Sequence, residues 1–70
     1  MIGEKDLTNR FTHHPPKGDQ AFRYGEIRNR AHAVASLIDE MCPDGREKSL
    51  AITHLEQAVM WANAAIARNE

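Results

Sequence analysis

The sequence predicts an all-α protein: an antiparallel two-helix hairpin with an extended N-terminal arm, assembled from several copies into a homo-oligomeric helical bundle. Three observations predict it. Apolar residues recur at alternating spacings of four and three in two stretches, Pro43 separates those stretches, and the first eighteen residues show neither a helical nor a strand period.

The arm is expected over residues 1–18, where Pro15-Pro16 imposes extended geometry at and just before the prolines, and it ends in a turn at Lys17-Gly18. The hairpin domain is expected over 19–70. Its first helix starts with Asp19 as N-cap and places Ile27, Ala31, Val34, Ile38 and Met41 in one apolar seam. Pro43 stops it, because proline disfavours helical geometry in Cys42 and lacks the next backbone donor. Asp44 followed by Glu47 reads as a capping box for the second helix, whose seam is Ile52, Leu55, Val59, Ala62 and Ile66. A connection this short makes the two helices antiparallel neighbours.

Seventy residues leave room for one small domain and none for a separate catalytic or cofactor-binding one. At 41% apolar and 27% charged residues the chain lies in the globular range. A net charge of −1 argues against duplex nucleic acid as a partner, so a phosphate ligand would have to be small and locally held. The lone Cys42 excludes an internal disulfide, points to a reducing cytosolic setting and is expected as a buried thiol. No apolar run approaches the roughly 20 residues that span a bilayer, so no membrane association is expected.

One hairpin buries too little apolar surface to offset the ordering of its own residues. Leu50, Met60, Trp61, Ala64, Ala65 and Ala67 lie outside the second seam, and such a face calls for a cover. Self-association is the expected cover; the alternative is an arm folded back over this face.

Catalytic and metal readings find little support. The histidines His13, His14, His32 and His54 include no helical pair at the i, i+4 spacing of a metal site. Asp39, Glu40, Asp44 and Glu47 crowd the turn and read as solvated capping charges. No catalytic residue, metal or cofactor is expected. Positive charge gathers between Arg10 and His32, where Arg10, Lys17, Arg23, Arg28 and Arg30 face only Asp19 and Glu26. Arg23, Glu26 and Arg30 have ion-pair spacing along one helix face, whereas Arg28 and His32 at i and i+4 stay free. Phe11, His13, His14 and Tyr24 add planar rings beside the guanidinium groups, a combination suited to bases and phosphates.

The stretches RFTHHPPK, YGEIRNRAH and CPDGREKSLAITHLEQAVMWANAAIARNE resemble the phage-encoded hairpin-domain proteins of the anti-CBASS and anti-Thoeris sponge group, most of all the second anti-CBASS type, over residues 10–70. The resemblance implies a hexameric assembly that sequesters cyclic dinucleotides, and in some members cyclic trinucleotides, without cleaving them, in the cytoplasm of an infected bacterial host. It puts His13 at the arm's aromatic position, where relatives commonly carry tyrosine. It puts the phosphate-reaching cation at His32 or Arg28, a base-reading asparagine at Asn29, and motif positions at Arg46, Thr53 and Trp61. Thr53 shares a stripe with Gln57 and Met60, so an oligomer contact is an equal reading. The resemblance leaves open a cyclic ADP-ribose-type ligand, and the residues also leave open a protein-interaction module or a phosphodiesterase working through His13 or His14.

Overall fold

The computed structural model describes residues 1–70 and is all-helical: α1 spans Glu4–Phe11, α2 Gln20–Met41 and α3 Arg46–Asn69. Helices α2 and α3 pack along their length and are antiparallel, since Asp39 near the end of α2 meets Lys48 at the start of α3, and Arg23 near the start of α2 meets Glu70 beyond its end.

The arm departs from the extended form expected over residues 1–18. Residues 4–11 are helical, and only the Pro-containing piece that follows is extended, up to a turn at Gly18 with φ +57°, a left-handed conformation that glycine adopts without strain. Helix α1 is too short for apolar periodicity to reveal it. What holds it is local: Glu4 and Asp6 in its first turn and Arg10 in its last complement the helix dipole, and Arg10 donates to both Asp6 carboxylate oxygens at 3.1 and 3.2 Å. Asn9 Nδ2 donates to the Arg68 carbonyl at 3.2 Å, docking α1 against the end of α3.

The charged residues settle differently from their sequence spacing. Asp19 stands at the N-cap of α2, yet its carboxylate accepts from Arg23 at 3.1 Å rather than from the backbone. The capping box is not formed, because α3 starts at Arg46 behind Gly45 and Asp44 is taken by Lys48 at 2.9 Å. Of the expected Arg23–Glu26–Arg30 ladder only Arg30–Glu26 forms, at 3.2 Å. Lys48, its side chain 13% exposed, also reaches the Asp39 carboxylate at 2.9 Å and the Asp39 carbonyl at 2.8 Å, and so fastens the turn.

The second seam is half-buried at all five of its expected positions, whereas in the first Val34 and Met41 are exposed and Ala35 faces inward with Ile27, Ala31 and Ile38. Cys42 lies exposed in the turn, where no helix covers it. No apolar side chain is fully buried, and the one buried residue is Gln20 at 3% exposure. The chain is a slab of 45 × 33 × 13 Å with a radius of gyration of 15.4 Å, against about 11 Å for a globule of this length. Its accessible surface of 5754 Å² exceeds the roughly 4,400 Å² of a compact monomer of this mass. A single copy therefore has a seam but no core.

Candidate functional site

Arm and hairpin together form a cleft of about 410 Å³ at the open end of the molecule. Helix α1 contributes Arg10, the extended connector Thr12, His13 and His14, helix α2 Tyr24 and Arg28, and helix α3 Asn63, Ala64, Ala67 and Arg68. Tyr24 and Arg28 share a face of α2 because they are four residues apart, and Ala64 and Arg68 share one of α3 for the same reason. The two alanines keep the α3 wall low, leaving space between the helices and the arm.

The cleft's electrostatics are one-sided. Three arginines and two histidines line it with no carboxylate, in a chain of net charge −1. Arg10 is neutralised locally by Asp6, but Arg28 and Arg68 take part in none of the ion pairs. Two guanidinium groups without carboxylate partners, converging on one recess, offer an anion charge-assisted hydrogen bonds. His14 Nε2–H donates to the Asn9 carbonyl at 2.9 Å, which orients the ring and leaves its Nδ1 turned from that bond.

Along the hairpin the cleft continues into a groove of about 420 Å³ lined by Arg28, Ala31, His32, Ala35, Glu56, Val59, Met60 and Asn63. Arg28 and Asn63 border both spaces. A wider depression of about 910 Å³ beside α1 is a poorer anion site, since Glu4 and Asp6 share its lining with Lys5 and Arg68.

A cluster of hydrogen bonds fixes the arm's end. Gln20 Oε1 accepts from the Lys17 backbone N–H at 3.0 Å, and Gln20 Nε2 donates to Glu70 Oε1 at 3.2 Å. Arg23 Nη1 donates to Glu70 Oε2 at 2.8 Å while its Nη2 meets Oε1, and Lys17 Nζ reaches the Glu70 carbonyl at 2.7 Å. The Arg23 guanidinium, with help from Gln20, holds the Glu70 carboxyl at about 2, well below its ordinary value of 4.5, and Glu70 in turn raises the basicity of Arg23.

Of the residues expected from sequence, His13, His14, Tyr24 and Arg28 meet in the cleft, His32 lines the adjoining groove, and Lys17 borders a neighbouring recess with Pro15, Pro16 and Glu70. Phe11 projects from α1 at 86% exposure, beside a shallow depression with Leu7 and Thr8. Asn29, Arg46, Thr53 and Trp61 are exposed and line none of these spaces in a single copy. Ala64, expected on a face between copies, lines the cleft, because the arm folds over that part of α3 and leaves Leu50, Met60, Trp61 and Ala65 uncovered. Arg68 and Asn63 were missed; the signal for both was their place one turn apart from Ala64 and Ala67 on α3, opposite Tyr24 and Arg28. No three His, Cys, Asp or Glu side chains gather where a metal ion could be held.

Residues 4–67 match the family model described as Acb2/Tad1, hairpin domain. No curated protein and no solved structure matches the chain.

Proposed function

The chain belongs to the Acb2/Tad1 hairpin-domain family, and from that premise we propose that it is a phage immune-evasion sponge, binding intact cyclic dinucleotides so that they no longer activate the defence effectors of the host. The observation that carries this reading is the carboxylate-free cleft, with Arg28 and Arg68 unpaired and Tyr24, His13 and His14 as rings beside them. Phosphate takes the guanidinium groups and a base takes the ring faces. The activity is sequestration, with no bond made or broken.

The sponge works as an assembly of copies. The chain exposes about 1,300 Å² more surface than a compact monomer of its mass, and a standard interface removes about 800 Å² from each partner. The apolar part of that excess lies on outer faces: Phe22, Leu37 and Met41 on α2, and Met60 and Trp61 on α3. Rotational symmetry then brings the single cationic cleft of each copy near its counterpart, which matches a ligand with two phosphates. We take a hexamer as the working number.

Two measurements test this. Cyclic di-AMP is mixed with the protein, the protein is removed by denaturation, and the supernatant is assayed; recovery of the intact ring is expected, and linear product would overturn the sponge in favour of a phosphodiesterase. Calorimetry against cyclic dinucleotides, cyclic trinucleotides and cyclic ADP-ribose isomers identifies the ligand class, and heat from the last alone would move the protein to the Thoeris-directed branch. Heat from none would favour a protein-interaction module.

A further inference from the structure

Three walls of the cleft are tied together at a residue that does not line it. Asn9, in the last turn of α1, borders the wider depression and not the cleft. Its Nδ2 donates at 3.2 Å to the carbonyl of Arg68, whose side chain lines the cleft. Its own carbonyl is one of those a helix leaves unpaired at its C-terminal end, and it accepts at 2.9 Å from the Nε2–H of His14. The next residue along α1 is Arg10, a third lining residue. Helix α1, the connector and α3 thus converge on one asparagine.

No other bond shares this task. Helix α1 buries no side chain, packs little against the hairpin, and makes no other hydrogen bond or ion pair to it. So short a helix does not hold itself in place without such support. The Gln20 bonds to Lys17 and Glu70 fix only the far end of the connector. Resting on the reading that the cleft takes a cyclic dinucleotide, we propose that Asn9 is the positioning residue of that cleft. It touches no ligand. Acting through His14 and Arg68, it sets the distance between the arm wall of Arg10, Thr12 and His13 and the hairpin wall of Arg28 and Arg68. The ligand then meets groups already in place, and less of its binding free energy is lost in ordering the arm.

The experiment titrates cyclic di-AMP into wild type, Asn9→Ala, His14→Ala and His14→Gln, and into Asn9→Ala combined with each of the two His14 variants. Thermal midpoints and sedimentation accompany the calorimetry. Asn9→Ala should bind about tenfold more weakly, with midpoint and assembly size unchanged because α1 adds little to the packing of the hairpin. His14→Gln loses the ring but keeps an N–H where Nε2 stands, so it should bind about fivefold more tightly than His14→Ala. That advantage should vanish once Asn9→Ala has cut the link to α3, since two bonds in series act as one. Wild-type affinity in Asn9→Ala overturns the proposal while leaving the sponge intact. So does a loss of affinity that comes with a lower midpoint or a smaller assembly, which would make Asn9 a residue of general stability. An advantage of glutamine over alanine at position 14 that persists in the Asn9→Ala background would give His14 a role independent of Asn9 and overturn it as well. No heat from wild type with cyclic di-AMP would remove the ligand reading itself, and this inference with it.

Discussion

The two ends of the hairpin are built from the same charged residue types and put them to opposite use. At the turn, Lys48 is surrounded by the Asp39 and Asp44 carboxylates and the Asp39 carbonyl, so the cation is fully answered from within the chain; these bonds raise the basicity of Lys48 and depress that of Asp44. At the open end the carboxylates are drawn off elsewhere. Asp6 holds Arg10, Asp19 and Glu70 hold Arg23, and Arg28 and Arg68 stand in the cleft without a partner. A satisfied cation fixes structure, and an unsatisfied one beside a recess is available to a ligand. Net charge cannot register the distinction, because it sums the two ends.

The sharpest way to break the comparison is to reverse the unpaired charge. Arg28→Glu removes a charge-assisted contact and adds repulsion, so affinity for cyclic di-AMP should fall about 100-fold or more by calorimetry, with helix content unchanged. Lys48→Met at the other end should lower the thermal midpoint and leave affinity for the assembled protein unaltered. Equal losses of binding in the two variants would erase the contrast between a structural and a functional end.

A second test addresses the faces rather than the ends. Trp61 is 67% exposed, so Trp61→Asp disturbs little packing within the hairpin. If its face is covered by another copy, the substitution should weaken that interface by about 2 kcal/mol, and sedimentation at low micromolar concentration should show smaller species. An unchanged sedimentation coefficient would place the assembly face elsewhere, on the α2 stripe of Leu37 and Met41.

What the sequence made legible follows the range of the interactions involved. The hairpin was readable because its seams repeat over five positions each, and a period summed over twenty residues outweighs local exceptions such as exposed Val34. Helix α1 was not, since eight residues stabilised by one Asp6–Arg10 pair carry no period. Half of the site was visible for a similar reason: His13, His14, Tyr24 and Arg28 lie close together in the chain, so a local cluster of charge and rings betrays them. Asn63 and Arg68 join it from some forty residues away, and only the antiparallel fold brings them there. The charged pairs were the least readable of all, because Arg23 has Asp19, Glu26 and Glu70 within reach by spacing or by fold, and packing decides among them.

Gln20 gives a smaller effect that joins the two themes. It is the one buried residue, and its amide ties the Lys17 backbone to Glu70, so Gln20→Ala should cost about 1–2 kcal/mol of stability in chemical denaturation. Because the connector carrying His13 and His14 ends at that bond, the affinity for cyclic di-AMP should also fall, though by less than in Arg28→Glu. A loss of stability with no change in affinity would mean that the arm keeps its place without the clasp.

The smallest effect is the pH response of the same clasp. Glu70 has its carboxyl held at about 2 in the folded chain against 4.5 ordinarily, chiefly by the Arg23 guanidinium and then by the Gln20 amide. The folded state therefore binds fewer protons than the unfolded state between those values. The stability it contributes is fully present above 4.5, declines as the pH falls below that value, and is gone once the pH has passed about 2. At neutral pH the clasp is insensitive to small pH changes. Carboxyl titration by NMR should find Glu70 titrating near the low value in wild type and moving towards 4.5 in Arg23→Ala, with a smaller move in Gln20→Ala. The acid limb of the stability profile should flatten in the same order. A Glu70 that titrates normally in wild type would show that its bonds to Arg23 and Gln20 are open in solution, and the arm would then owe its position to the Asn9 bond to the Arg68 carbonyl and the Lys17 backbone bond to Gln20.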